Sequence, residues 1–223
     1  MGYRSEVNAA ITAPDEEFFV AMITRLKLED KLEGCDPLID MDSDRWDFFK
    51  WVRIYKATMR GYYTPPPRDV ATKDLSATEW VDMPVVIMEF TTEEALKWYD
   101  GYDYPTLWES MVAIADEKGM PWQFVRIGEE QGDIEDNCGF EGGDLLKEYL
   151  EAKGMLTGTD AEKDRTLSLY KTALDDGTSM FRVESVIESS ENCDINTTLS
   201  MGDLLSPKEE SNLNPVKQRS ESQ

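Results

Sequence analysis

The sequence predicts an α+β fold, and three observations carry that prediction. Before residue 128, four stretches show two-residue apolar alternation or dense β-branched and aromatic content. Between them lie two stretches with apolar residues three and four apart, the spacing of a helix face. Prolines, glycines or acids stand where the period changes, as helix starts and stops require.

The elements follow in order. Tyr3 to Thr12 sets Tyr3, Ser5, Val7, Ala9 and Ile11 on one face against Arg4, Glu6, Asn8 and Ala10 on the other, which predicts a half-buried strand. Pro14 and the acids Asp15, Glu16 and Glu17 then suit a first helical turn, where fixed φ and negative charge are favourable. Phe19, Met22, Ile23 and Leu26 give that helix a core-facing stripe to Lys31 or Leu32, with Gly34 as its stop. Trp46 to Ala57, WDFFKWVRIYKA, predicts a second, central strand.

Residues 59–82 lose periodicity and carry Pro65 to Pro67 beside Tyr62 and Tyr63, so they are expected to form an inserted surface loop with a stiff connector. Val85 to Phe90 predicts a buried strand, and Thr91-Thr92-Glu93-Glu94 a capping box for a brief helix through Trp98. A longer helix starts at Pro105 and ends at Gly119, with Leu107, Trp108, Met111, Val112, Ile114 and Ala115 inward. Trp122 to Ile127 closes the set. The order β, α, β, β, α, β matches the split βαβ arrangement of a ferredoxin-like antiparallel sheet with two helices; a differently ordered α+β sandwich is the competing arrangement.

This core domain is expected over 1–136, followed by an acidic loop, helix and hairpin extension over 137–187 and a disordered tail over 188–223. Asp144 suits the cap of a helix carrying Leu145, Leu146, Tyr149 and Leu150. Residues 165–187 read as a hairpin about Asp175-Asp176-Gly177-Thr178. A helix from Asp160 to Leu174 is the alternative, since Thr159 and Glu162 form a capping box and Leu167, Tyr170 and Leu174 share a face.

Charge narrows the partners. The 223 residues hold 46 acids against 23 bases, a formal net charge of −23. Such a surface disfavours phosphate backbones and anionic membranes and favours basic partners, so neither direct nucleic-acid nor membrane binding is expected. Solubility is the plain use of such charge; the sharper use is as a decoy for something that binds nucleic acid. Histidine is absent, which removes the commonest general base and transition-metal ligand. Cys35, Cys138 and Cys193 are too dispersed for a metal knuckle and odd in number for a disulfide framework. They fit a reducing cytoplasm. No apolar run reaches the ~20 residues of a membrane span, and the first ten residues lack a signal-peptide apolar region.

The candidate contact surface begins where the closing strand ends. No lysine or arginine lies between Arg126 and Lys147, while Glu129, Glu130, Asp133, Glu135, Asp136, Glu141 and Asp144 all fall there. A calcium-loop frame starting at Asp133 fails, because Cys138 stands where glycine is needed and Asp144 where a bidentate glutamate is needed. The acids Glu129, Glu130, Asp133, Glu135 and Asp136 are therefore read as a contact surface for a basic protein. Trp98, Tyr99, Tyr102, Tyr104 and Trp108, interleaved with Asp100 and Asp103, read either as core packing or as interface anchors able to grip arginine. Arg53 and Arg126 would be the anion contacts if the chain instead sequestered a small molecule or nucleotide, unless each pairs with a neighbouring carboxylate. With no glycine motif in register, no metal spacing and no cofactor implied, the sequence predicts no enzyme.

The segments MGYRSEV, KWYDGYDYP and FVRIGEEQGDIED resemble a family of small uncharacterised bacteriophage proteins. These start GYRS, carry a KWY segment, and end the fold with a phenylalanine-rich strand followed by RIGE and an acidic DIE signature. The similarity spans residues 1–136 in three islands, and the chain departs from it by the proline-bearing insertion and the C-terminal extension. The resemblance implies a phage gene product acting in the bacterial host cytoplasm and transfers no catalytic residue. Together with the charge, it leads to the expectation of a non-enzymatic protein that binds and inhibits a nucleic-acid-binding or antiviral-defence factor of the host, by mimicking DNA charge.

Overall fold

The computed structural model describes residues 5–31, 52–66, 77–92, 98–99, 103–128, 133–140 and 143–179, and the backbone of 194–199. Six strands and four helices follow one another along these segments: β1 (Ser5–Ala13), α1 (Glu16–Leu28), β2 (Val52–Tyr63), β3 (Glu79–Thr91), α2 (Asp103–Glu117), β4 (Trp122–Gly128), β5 (Ile134–Gly139), α3 (Asp144–Ala152), α4 (Asp160–Ser179) and β6 (Asp194–Leu199). The protein is therefore mixed α+β, as its periodicity predicts. All pairings in its sheet are antiparallel, in the order β5-β4-β1-β3-β2-β6. Two strands beyond the four predicted for the core, β5 and β6, extend its edges.

Register determines which residues share a face. Ile11 stands opposite Met88 and Trp122, and Ala9 opposite Phe90 and Phe124, so these rows project together. The Trp98 ring lies 6.1 Å from Phe90 and 5.4 Å from Phe124, and Trp108 stacks on Phe124 at 5.9 Å, which puts α2 on this face. Helix α1 joins it there: its Glu16 meets Lys56 of β2 at 2.9 Å, and its Arg25 bonds both Glu29 and Glu117 at the end of α2. Asp15 caps α1 by accepting from Phe18 N (3.0 Å), so Pro14, expected in the first helical turn, lies just before the helix. The chain leaves the helix after Leu28; the predicted stop at Gly34 lies outside the described residues.

The opposite face is covered by α4. Residues 169, 170, 173, 174, 177 and 178 of this helix are all buried, a spacing that lays one stripe along the sheet. Over 165–179 the hairpin predicted for 165–187 is thus replaced by the helical alternative, 180–187 lying outside the described residues, and Thr159 with Glu162 forms the capping box: Glu162 Oε2 accepts from Thr159 N at 2.7 Å. Gly177 does not turn the chain but lets α4 approach closely, since a Cβ there would lie 3.2 Å from Thr12 Cγ2.

The strands also outrun their predicted ends. Strand β2 starts at Val52 and continues to Tyr63, and β3 begins at Glu79, so much of the predicted loop 59–82 is a paired ribbon with Tyr62 opposite Trp80. Residues 46–51 and the brief helix predicted over 93–97 lie outside the described residues. In the stretch expected to be a disordered tail, residues 194–199 pair with Ile54 to Thr58 of β2, whose edge would otherwise leave backbone groups unpaired. Beyond them, α4 supplies partners instead: Thr172 Oγ1 accepts from Tyr62 N at 2.7 Å, and Ser168 Oγ donates to Tyr62 O at 3.2 Å. Among the described residues no helix is long and apolar enough to cross a membrane.

Candidate functional site

The predicted acidic surface falls on the β4–β5 hairpin, and much of it is strand rather than loop. Strand β5 pairs with β4 from Ile127 opposite Ile134 to Trp122 opposite Gly139. Its burial does not alternate, so period-2 reading had no apolar row to detect. Cross-strand polar contacts hold it instead. Arg126, whose side chain is 16% exposed, donates from Nη1 and Nη2 to the two carboxylate oxygens of Asp133 at 2.9 and 2.8 Å. It also donates from Nε to Glu135 Oε2 (3.1 Å) and from Nη1 to Ser5 Oγ (3.2 Å). Asn137 Nδ2 adds a bond to Glu135 Oε1 at 2.7 Å. On the other face, the buried Gln123 donates from Nε2 to Asp136 Oδ1.

These partners divide the predicted acids. Asp133 and Glu135 hold the hairpin together around one guanidinium, whereas Asp136 is exposed and bonded only to a neutral amide in the contacts described. Glu129 and Glu130 lie outside the described residues. The twelve-residue frame from Asp133 to Asp144 contains an extended strand and the start of α3, so it does not wrap into a calcium loop. Among the described residues no group of three histidine, cysteine, aspartate or glutamate side chains could hold a metal ion.

The aromatic set is built largely into the core. Tyr104 is 7% exposed, and the half-buried Trp98 spends its ring on Phe90 and Phe124, so neither is presented as a surface anchor. Tyr99 is half-buried, and Tyr102 lies outside the described residues. Among the described residues the exposed aromatics are others: Trp80, 59% exposed, packs on Tyr62 at 5.2 Å near the end of the β2–β3 ribbon. Ribbon pairing could not be read where the loss of periodicity and Pro65 to Pro67 suggested a loop.

Arg53 and Arg126 do not converge. They project from opposite faces, on β2 and β4, with β1 and β3 between them. At a strand spacing of about 4.8 Å that separation alone is about 14 Å. Arg53 stands 3.8 Å from Glu89, and Arg126 is enclosed by carboxylates, so together they form no anion pocket.

A cleft of about 350 Å³ opens beside the start of α1, lined by Pro14, Asp15, Glu16, Glu17, Lys56 and Pro84 among others. Its charges are matched internally: Lys56 meets Glu16, Lys153 meets Glu17, and Tyr149 donates its hydroxyl to Asp15 at 3.0 Å. Burial, then the Asp15 charge and that hydrogen bond, push the Tyr149 phenol above its ordinary range and keep it protonated. This arrangement docks α3 onto α1.

Fold and hairpin together define an acidic α+β protein with a carboxylate-bearing strand at one edge of its sheet. Comparison with known protein families, curated proteins and solved structures finds no match for this chain.

Proposed function

We propose that the chain is a non-enzymatic acidic protein, of bacteriophage origin as its resemblance implies, that binds and inhibits a basic host protein of the nucleic-acid-binding or defence type. The carrying observation is the position of Asp133, Glu135 and Asp136 on an edge hairpin whose two strands Arg126 ties together. An extended strand advances about 3.4 Å per residue, close to the axial spacing of phosphates along one DNA strand. Asp133 and Glu135 stand on one face of the hairpin and Asp136 on the other, and Glu129 and Glu130 precede them in the chain. Five acids against the single Arg126 leave this stretch with a net charge of −4. The inner strands β4-β1-β3-β2 with α1 and α2 are read as the ferredoxin-like unit that carries the hairpin.

Asp133 and Glu135 also secure the fold, so the test neutralises the other acids. The immobilised protein is used to retain a partner from host extract, and that partner is purified. Its dissociation constant is then measured against wild type and the triple variant Glu129→Gln, Glu130→Gln, Asp136→Asn. Binding at least about tenfold weaker, with a shallower salt dependence, is expected. An unchanged constant would remove the hairpin from the interface.

A further inference from the structure

The hairpin offers backbone as well as charge. Hydrogen-bonded and non-hydrogen-bonded pairs alternate along an antiparallel ladder, so one bond sets the phase of all the others. Gly128 N donates to Asp133 O at 2.8 Å, which makes 126 and 135, and then 124 and 137, the bonded pairs of β4 and β5. The neighbouring ladder agrees. Thr12 N donates to Pro121 O at 3.1 Å, turning the odd-numbered backbone groups of β4 toward β1 and the even-numbered ones toward β5. Ile134, Asp136 and Cys138 therefore direct their N–H and C=O groups away from the sheet, and among the described residues no strand pairs with them. All three side chains are exposed, Ile134 by 58%. Natural edges are usually blunted by proline, a bulge or charge, lysine above all. Strand β5 has neither proline nor bulge, and its charges are acids, which turn away acidic strands and admit a basic one.

We propose that β5 receives an extended segment of a basic protein as an added strand, bonded to the backbone of Ile134, Asp136 and Cys138, with a lysine or arginine opposite Asp136 and an apolar residue beside Ile134. Charge selects this occupant over a second copy of the chain, since pairing β5 with itself would bring Glu135 and Asp136 of two molecules of net charge −23 together. The inference rests on the reading of the hairpin as a contact for a basic protein and adds the mode of contact.

The test uses the full chain and two short peptides, one alternating lysine with valine and one alternating glutamate with valine. Amide exchange on the unmodified protein should slow at Ile134, Asp136 and Cys138 with the lysine peptide and not with the glutamate peptide. Cys138→Pro removes an outward donor and should weaken the lysine peptide about tenfold, the scale of one hydrogen bond. Cys138→Ser should bind as wild type, and near-identical urea midpoints would show that both variants fold. Three results would overturn the proposal: equal affinity for the two peptides, charge-selective binding without slowed exchange at those amides, or a dimer of the free chain that Cys138→Pro abolishes. The second would leave the charge reading standing, which the neutralised triple variant tests separately.

Discussion

Arg126 and Asp133 meet through two parallel hydrogen bonds of 2.9 and 2.8 Å across the end of the β4–β5 hairpin. This fork geometry, which lysine cannot reproduce, sets the strand that carries the acids in register with the sheet. Without it, a strand polar on both sides would have little to dock it.

Replacing Arg126 with methionine should therefore cost more than a surface ion pair. Asp133 and Glu135 would be left part-buried without their cation, at about 2 to 3 kcal/mol. Urea denaturation should show that loss, and amide exchange should show β5 opening while β1 and β3 stay protected. Arg126→Lys should recover only part of it.

Gly61 gives a second expectation, set by space rather than charge. A Cβ on Gly61 would fall inside the contact shell of the Leu169 carbonyl oxygen and 3.0 Å from its carbon, where α4 crosses β2. Backbone cannot yield as a flexible side chain does, so Gly61→Ala should destabilise by about 3 kcal/mol. Gly154→Ala, at φ +67 but in open space, should cost only the left-handed strain of about 1 kcal/mol. Thermal melts of the pair separate the two causes.

These positions also show where the sequence was legible. Helices α1 and α2 carry apolar rows whose period matches their burial, so they could be read directly, whereas β1, expected to be half-buried, alternates only over Ser5 to Asn8 and is buried on both faces from Ala9 to Ala13. Helix α4 was harder, because its stripe ends in Gly177 and Thr178, small residues that look like a turn until a sheet lies against them. There Thr178 Oγ1 lies 2.9 Å from both Thr12 Oγ1 and the Leu174 carbonyl; with one proton per hydroxyl, it donates to the carbonyl and accepts from Thr12. Strand β5 left no apolar signal at all. Its pairing depends on Arg126 facing two acids seven and nine residues away, a relationship that exists only once the chain turns back. The acids were legible as a cluster, but not the division between those that bind Arg126 and the one that faces out.

The end of α4 predicts a pH effect. Burial, then repulsion from Asp175, raises the Asp176 carboxyl above its ordinary 3.8, with Arg60 opposing. The folded state thus prefers the proton: the stability from this group is full below pH 3.8 and is lost as pH rises through the raised value. Both acids also sit at the negative end of the helix dipole, with no base in the last turn. Because the Asp176 side chain is exposed and screened by solvent, Asp176→Asn should stabilise the protein at pH 7 by only about 0.5 kcal/mol, a gain that vanishes near pH 3. A gain of equal size at both values would point to packing instead.

The most direct measurement of the central claim is competition. The purified host partner is saturated with labelled duplex DNA and titrated with the full chain at fixed ionic strength. If the acidic hairpin occupies the surface that binds phosphates, DNA should be released one for one as the protein binds, and the neutralised Glu129, Glu130 and Asp136 variant should release it only at concentrations about tenfold higher. A ternary complex in which DNA and this protein remain bound together would contradict the account.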